Sequence, residues 1–436
     1  MKRRLLPILM TLVLVCALPI WAAFVTSGDV TNPLVSTVWA DPIEGTFTQV
    51  TDETTLKAAV EKGESVILMQ DIEISSRLEV KQSLTLDLNG YVLKMSGTGG
   101  VIRIIKYAEY AVVEVEIKDG MPGRVHTGGY AALPAGGVIT GGNAYVDNND
   151  QGGGILLDGG STLKLAGGCI TGCHASYGGG IRSFGELYIS GTAKIENCTS
   201  KWGSDDAILS TAGNIYADGG TVGGTVNNQS AIKHSNGVTA VTVFNGTVYN
   251  RSGHSIEAGI YNGTVENNGS ISGGTFYGAV TIRKGSWGWE STGSITGGTF
   301  YGPIVNEVGP GQVTGGTFAV TFDRGDGTKT GPELVGYKGT VSRPPSDPEK
   351  SGHTFVGWYL DDEKYNFDTP VTAPLTLTAK WEKVPSSGGY YYYPATDTKA
   401  DDAKGSPKTA DPGVALYAAL SLLSLMGMAA LTGKKR

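Results

Sequence analysis

The sequence predicts an all-β protein: a right-handed parallel β-helix over residues 50–318, followed by a second, smaller β unit at 319–382. Three observations carry that expectation. Glycine is abundant, at 66 of 436 residues, while only 17% of residues are charged and 40% are hydrophobic. Strands joined by many turns fit this composition better than helices or disorder do. Short segments also recur at intervals of 18–26 residues, and the pattern changes abruptly at Ala319.

Lys2, Arg3 and Arg4 precede an apolar run from Leu5 to Val25, interrupted by Pro7 and Pro19. A short cationic start before an apolar stretch is the pattern of a secretory signal, taken here as residues 1–40. Cleavage after Ala22, Ala23 or Ala40 fits, with Ala40 preferred, and Cys16 leaves with the signal.

A solenoid needs its first coil covered. Asp52 is placed to cap a short helix over 53–62, with Leu56, Ala59 and Val60 on one face and Gly63 at its end. Strands are expected at Val66–Met69, Asp71–Ile74 and Ser83–Leu88, the last closed by Asn89-Gly90.

Internal repetition dominates residues 50–318. Gly178-Gly179-Gly180-Ile181 repeats Gly152-Gly153-Gly154-Ile155 after 26 residues, and Leu187-Tyr188-Ile189 answers Leu163-Lys164-Leu165 after 24. Ile195 answers Ile170, and Cys198 answers Cys173, each after 25. A later series reads Gly-Gly-Thr-Phe at 273, 297 and 315, with related Gly-Thr-Val steps at Gly224, Gly246 and Gly263. One such unit cannot bury its apolar face alone, whereas stacked copies can. At about 22 residues per coil the region holds about 11 or 12 coils, each one strand spacing of ~4.8 Å from the next. A leucine-rich repeat is disfavoured because its helical or asparagine-ladder half is not evident, and a propeller needs ~40-residue blades.

The short amphipathic helix followed by Thr85-Leu86-Asp87-Leu88-Asn89-Gly90 resembles the first coils of bacterial surface proteins of the pectin-lyase-like superfamily. The resemblance is one of architecture and says little about activity. Gly203-Ser204-Asp205-Asp206-Ala207-Ile208 resembles the paired-aspartate motif of polygalacturonases, and Gly253-His254-Ser255 and Arg283-Lys284 echo that family's other motifs faintly. The family's Asn-Thr-Asp motif is missing upstream, and His254 lies 48 residues past Asp206, two coils rather than one. Asp205, Asp206 and His254 are therefore weak catalytic candidates, and the expectation is a protein without catalysis. Cys169, Cys173 and Cys198 are read as core residues rather than metal ligands, since small side chains stack at equivalent places of successive coils. No metal or other cofactor is expected. The aromatic residues after the Gly-Gly-Thr turns are likewise read as packing residues.

From Val320-Thr321-Phe322-Asp323 through Gly352-His353-Thr354-Phe355-Val356-Gly357-Trp358-Tyr359 to Leu375-Thr376-Leu377-Thr378-Ala379-Lys380-Trp381, order and spacing resemble a Listeria–Bacteroides repeat. That resemblance implies a β-grasp-like module of the internalin B-repeat type, acting as spacer or protein-interaction unit. Trp358 and Trp381 are expected to anchor its core, because so small a unit needs large aromatics, and His353 is expected to be structural. Residues 383–405 mix Pro, Gly, Ser, Tyr and charge, including Tyr390 to Tyr393, and read as a flexible linker.

The tail, 406–436, has three segments: Ser406-Pro407-Lys408-Thr409-Ala410, an uncharged apolar run from Val414 to Leu431, and Lys434-Lys435-Arg436. Eighteen apolar residues give a helix of ~27 Å, close to a membrane's hydrocarbon thickness, and the terminal cations favour the cytoplasmic side. Together these resemble a sortase sorting signal of the LPxTG class, with Ser406 in place of Leu and Ala410 in place of Gly. The resemblance implies transient anchoring by a transmembrane helix at 414–431. A sortase then cleaves between Thr409 and Ala410 and joins Thr409 to peptidoglycan of a Gram-positive cell wall.

Formal charge is −7, and each removed end, 1–40 and 410–436, carries a net +2, leaving the mature chain at −11. Such a surface repels nucleic acid. The expected protein is extracellular and wall-attached, an adhesin or host- or glycan-interaction protein. A surface polysaccharide hydrolase or lyase, or a mechanical spacer, is the alternative.

Overall fold

The computed structural model describes residues 46–106, 112–145, 151–201, 203, 206–284, 292–309 and 311–385. The predicted signal, the sorting motif Ser406–Ala410, the apolar run 414–431, nearly all of the linker, and Asp205 lie outside these residues. No helix among the described residues is long and apolar enough to cross a membrane.

The fold is all-β, with one α-helix among the described residues. Asp52 caps that helix, Glu53–Glu61, by accepting from Thr55 N at 2.8 Å, and Thr55 answers the cap backbone in a capping box. Lys62 ends it, and Gly63 follows at φ +74°. Leu56, Ala59 and Val60 are buried, so the helix covers the apolar end of the first coil. Asn89 and Gly90 both take positive φ in the turn read from the sequence.

Strands stack into three long ladders that the chain visits in turn. Ladder I starts at Thr48–Val50 and runs through Thr162–Leu165 and Ala231–Lys233 to Ser294–Ile295. Ladder II starts at Ile72–Ile74 and runs through Cys169–Ile170 to Thr299–Phe300 and Thr317. Among the described residues, ladder III holds ten strands, from Leu78–Val80 to Ile304–Asn306. A short fourth ladder joins Asn143–Ala144, His174–Ala175 and Thr199–Ser200. Strand pairing within these ladders is parallel, and the register is the one the repeats specify. Ile155 pairs with Ile181, Leu163 with Leu187, Ile170 with Ile195, and Phe276 with both Phe300 and Tyr261.

Alternate residues of each strand point inward and form aliphatic columns, such as Ile155, Ile181, Ile208, Val226, Val248 and Val265, each essentially inaccessible to solvent. In the C-terminal coils the core turns aromatic. Phe244, Tyr261, Phe276 and Phe300 stack with centroids 5.0, 4.8 and 4.7 Å apart and rings within 8° of parallel, and Phe318 follows at 5.7 Å. Phe276, Phe300 and Phe318, which follow the Gly-Gly-Thr turns, pack inside as expected. The next residues, Tyr277 and Tyr301, instead stack on the outer face at 4.7 Å, with Tyr277 52% exposed, because successive side chains of a strand point to opposite faces. The buried Tyr261 hydroxyl donates to Ala258 O at 2.6 Å.

The Gly-Gly pairs have steric causes. A Cβ on Gly297 would sit 2.1 Å from the Ser272 carbonyl oxygen of the preceding coil, while Gly298 takes φ +97° against the Phe276 and Phe300 rings. Gly297→Ala must therefore push adjacent coils apart. It is expected to destabilise by roughly 1–3 kcal/mol or more, read as a fall in thermal unfolding midpoint that Gly123→Ala, at an open turn, does not reproduce to the same extent.

One expectation is corrected. An asparagine ladder does exist: Asn228, Asn250 and Asn267, fully buried, end successive strands of ladder III. Asn228 Nδ2 donates to Asn250 Oδ1 at 2.9 Å, and Asn250 Nδ2 to Asn267 Oδ1 at 2.7 Å. Unequal coil lengths, 22 and then 17 residues, hide this ladder in the sequence.

The stacked parallel ladders and the module share a strand. In Thr317–Asp323, the first two residues are the last parallel rung on Thr299–Phe300, and Val320 to Asp323 pair in parallel with the start of Leu375–Lys383. Lys329–Gly336 pairs antiparallel along its other edge, and His353–Leu360 pairs antiparallel with Leu375–Lys383. Trp358 is buried, edge-on to Phe322 and Phe355. Trp381 is only partly covered and donates from Nε1 to Arg324 O at 2.8 Å. His353 Nδ1 meets Ser351 O at 2.9 Å, a contact internal to its turn.

Candidate functional site: an outward groove on ladder I

The outward column of ladder I carries polar and aromatic residues where the inward one carries Leu163, Leu187, Ile215, Ile232 and Ile256. In register, Lys164 lies beside Tyr188, Tyr188 beside Tyr216, and Tyr216 beside Lys233, with Glu257 one rung further. The Tyr188 and Tyr216 rings stack 3.9 Å apart at 4°. Lys233 Nζ lies 5.1 Å from the Tyr216 centroid, within cation–π range. Burial, then the hydrogen bond with Tyr216, pushes the Tyr188 phenol well above its ordinary range. At the N-terminal end Lys164 pairs with Glu114.

A loop turns this face into a groove of about 700 Å³. Three residues separate ladders I and II in the coils after Ile256 and Ile271, but nine separate Lys233 from Val243. The extra residues rise beside the column, with His234, Ser235 and Asn236 lining the groove. Asp218, 1% exposed, holds the loop down: its carboxylate accepts from Ser235 N at 2.9 Å and from Ser235 Oγ at 2.5 Å. Thr242 fastens the far end by donating to Gly219 O at 2.6 Å. A buried carboxylate is tolerable when its acceptor sites are filled in this way.

Ser235, His234 and Asp218 therefore lie together, with His234 Nδ1 3.5 Å from Asp218 Oδ1. The serine donates to the carboxylate, not to the imidazole, so the trio is wired as a loop clasp rather than as a nucleophile on its base.

The residues singled out from the sequence lie elsewhere. Asp206 sits at the corner entering ladder III, where its carboxylate accepts from Ser200 N at 2.7 Å and Ser200 Oγ at 3.1 Å. His254 sits two coils on, at the corner entering ladder I, and burial lowers its pKa. The structure does not bring the two together. Cys173 and Cys198 are buried, with Cys198 Sγ against the carbonyls of Glu196 at 3.5 Å and Ile170 at 3.7 Å. Burial, with Glu196 nearby, pushes the Cys169 thiol up to about 12. A thiol so shifted is unreactive, and Cys173 and Cys198 are shut off from solvent by burial, so all three should resist a thiol-labelling reagent at pH 8 in the folded protein and react in guanidinium. Labelling of the native chain would contradict the packed ladder. No cluster of metal-ligating side chains is present among the described residues.

Little in the sequence signals the groove. Lys164 and Tyr188 are visible there only as the polar members of a repeat, and Tyr216 and Lys233 follow at offsets of 28 and 17 that no fixed period finds.

Residues 318–380 match the Listeria-Bacteroides repeat domain family, a surface-protein repeat. The match begins at Phe318, inside the strand shared with the parallel ladders. Two curated relatives come from Evansella cellulosilytica: a predicted membrane protein, 35% identical over 68 residues, and a predicted Gly-rich membrane protein, 36% identical over 69. Each alignment covers 15% of this chain, and 10% and 8% of the respective relative. The chain thus spans about a tenth or less of the curated relatives it matches. No solved structure matches.

Proposed function

We propose that this chain is a cell-wall-attached surface protein that binds host or glycan ligands without catalysis. The observation that carries this reading is the surface-protein repeat at 318–380, joined by a continuous strand to a solenoid with a long outward face. Several features support it. The three ladders and their parallel crossovers suit a right-handed β-helix, the hand that such connections take almost without exception. The mixed sheet at 317–383 suits the β-grasp-like module. The signal pattern at 1–40 and the sorting pattern at Ser406–Ala410 suit a chain carried outside the cell, with Thr409 as the residue joined to peptidoglycan.

Two measurements test this. Muramidase-released wall fragments should carry the chain ending at Thr409, whereas recovery of full-length protein by detergent alone would refute attachment. The mature chain, 41–409, should bind members of a glycan and host-matrix array. An empty array would leave only a spacer, and release of new reducing or unsaturated sugar ends, lost in Asp206→Asn, would establish an enzyme instead.

A further inference from the structure

We infer that the ladder I groove binds an oligosaccharide carrying one isolated acidic group, with Lys233 as the residue that receives it. This rests on the ligand-binding reading above and gives it a site and a ligand class.

The charge order along the groove is the first argument. From the N-terminal end the column reads Glu116 and Lys164, with Glu114 two residues back on the same strand reaching the Lys164 ammonium, then Tyr188 and Tyr216, then Lys233 and Glu257. Lys164 is neutralised by Glu114. Glu257 accepts from Ser255 Oγ at 2.7 Å and makes no ion pair among the described residues. Among those residues Lys233 makes no ion pair either; its ammonium stands over the Tyr216 ring, beside His234. On a mature chain at −11, such an ammonium in a groove is a local site for a single anion. Carboxylates at both ends of the column repel a second and a third. A densely charged polymer is therefore a poor fit, and a neutral chain with one acidic residue is a good one.

The second argument is the kind of polar group on offer. Two phenol hydroxyls, the Asn236 amide and the remaining lone pairs of Glu257 give donors and acceptors for sugar hydroxyls, while the tyrosine edges give apolar contact. Five rungs from Lys164 to Glu257 span roughly 19 Å along the ladder, room for a short oligosaccharide. The third argument is preorganisation. The loop bearing His234 and Asn236 is fixed by Asp218 and by Thr242 before any ligand arrives, so little ordering is lost on binding.

The test uses the mature chain and four probes: 3′-sialyllactose, a xylotriose bearing a single glucuronic acid branch, lactose and a heparin hexasaccharide. The first two carry isolated carboxylates from different sources, and either binding supports the inference. Expected are a tenfold or greater preference for an acidic probe over lactose, weaker binding of heparin than of that probe, and a loss of binding on raising salt from 50 to 500 mM. Lys233→Met keeps the aliphatic stem over Tyr216 and should weaken the acidic probe at least tenfold with no change in unfolding midpoint. Equal binding of lactose, tightest binding of heparin, or an unaffected Lys233→Met variant would overturn the inference. So would failure of both carboxylated probes. If the array finds another ligand whose binding ignores Lys233→Met, this site fails and the surface-binding reading stands. An array with no hits removes both.

Discussion

Phe276→Ala should be the most damaging single substitution in the stacked ladders, costing about 3–5 kcal/mol. Its ring is fully buried between Tyr261 and Phe300, nearly parallel to both at 4.8 and 4.7 Å. Removing it takes away two stacking contacts and leaves a void whose walls are held by backbone ladders on every side. Collapse is difficult there, because Gly274 and Gly298 already bring backbone against the same rings. Stability in stacked repeats is a sum of local units and nearest-neighbour terms, so the loss should concentrate in residues 244–318. Hydrogen exchange should show those coils opening first while the coils near the N-terminal helix stay protected. Tyr277→Ala, one residue away on the outside and 52% exposed, should cost far less. Equal effects from the two would mean that the aromatic column is not what holds these coils together.

Asn250→Ala should destabilise by about 2–4 kcal/mol, the cost of stranding buried polar groups. Asn250 is the middle of its ladder. It accepts from Asn228 Nδ2 and donates to Asn267 Oδ1 and to Ser270 O. The alanine removes these three bonds, together with a longer one from Asn250 Nδ2 to His254 O at 3.5 Å, and leaves Asn267 Oδ1 and the Ser270 carbonyl short of a donor in the interior. Asn228 is less exposed to the loss, since it keeps Ser230 O and Ser255 O as acceptors. Asn306→Ala offers the contrast, as Asn306 lies beyond the ladder, solvent-exposed, and bonds only within its own turn. Chemical denaturation of the two variants separates the cases, and an Asn250 variant as mild as the Asn306 one would show that water replaces the lost bonds.

How much was legible follows from what each feature depends on. The all-β class, the capped helix at 53–61 and the pairing of Ile155 with Ile181 or Phe276 with Phe300 are written in local patterns. Strand alternation and fixed offsets carry that information, because residues stacked in a parallel ladder must occupy equivalent places in their units. The inward packing of Cys173, Cys198 and the Phe residues followed from the same rule. The asparagine ladder escaped, since its members are 22 and 17 residues apart and an Asn at a strand end reads like any turn residue. Trp381 was expected to match Trp358 as a core anchor and is only partly covered, a difference set by which face of Leu375–Lys383 meets His353–Leu360.

Composition and periodicity alone establish that this chain repeats, that its repeats are strands, and that a distinct β unit begins near residue 319. Those properties need no knowledge of what touches what. The column formed by Lys164, Tyr188, Tyr216 and Lys233 emerges only in three dimensions, because their spacing depends on how many residues each coil diverts into loops. The same holds for the nine-residue connection, fastened by Asp218, that walls the column into a groove. Backbone hydrogen bonding fixes which rungs are neighbours, and a varying number of residues between rungs erases the offset from which a neighbour could be read.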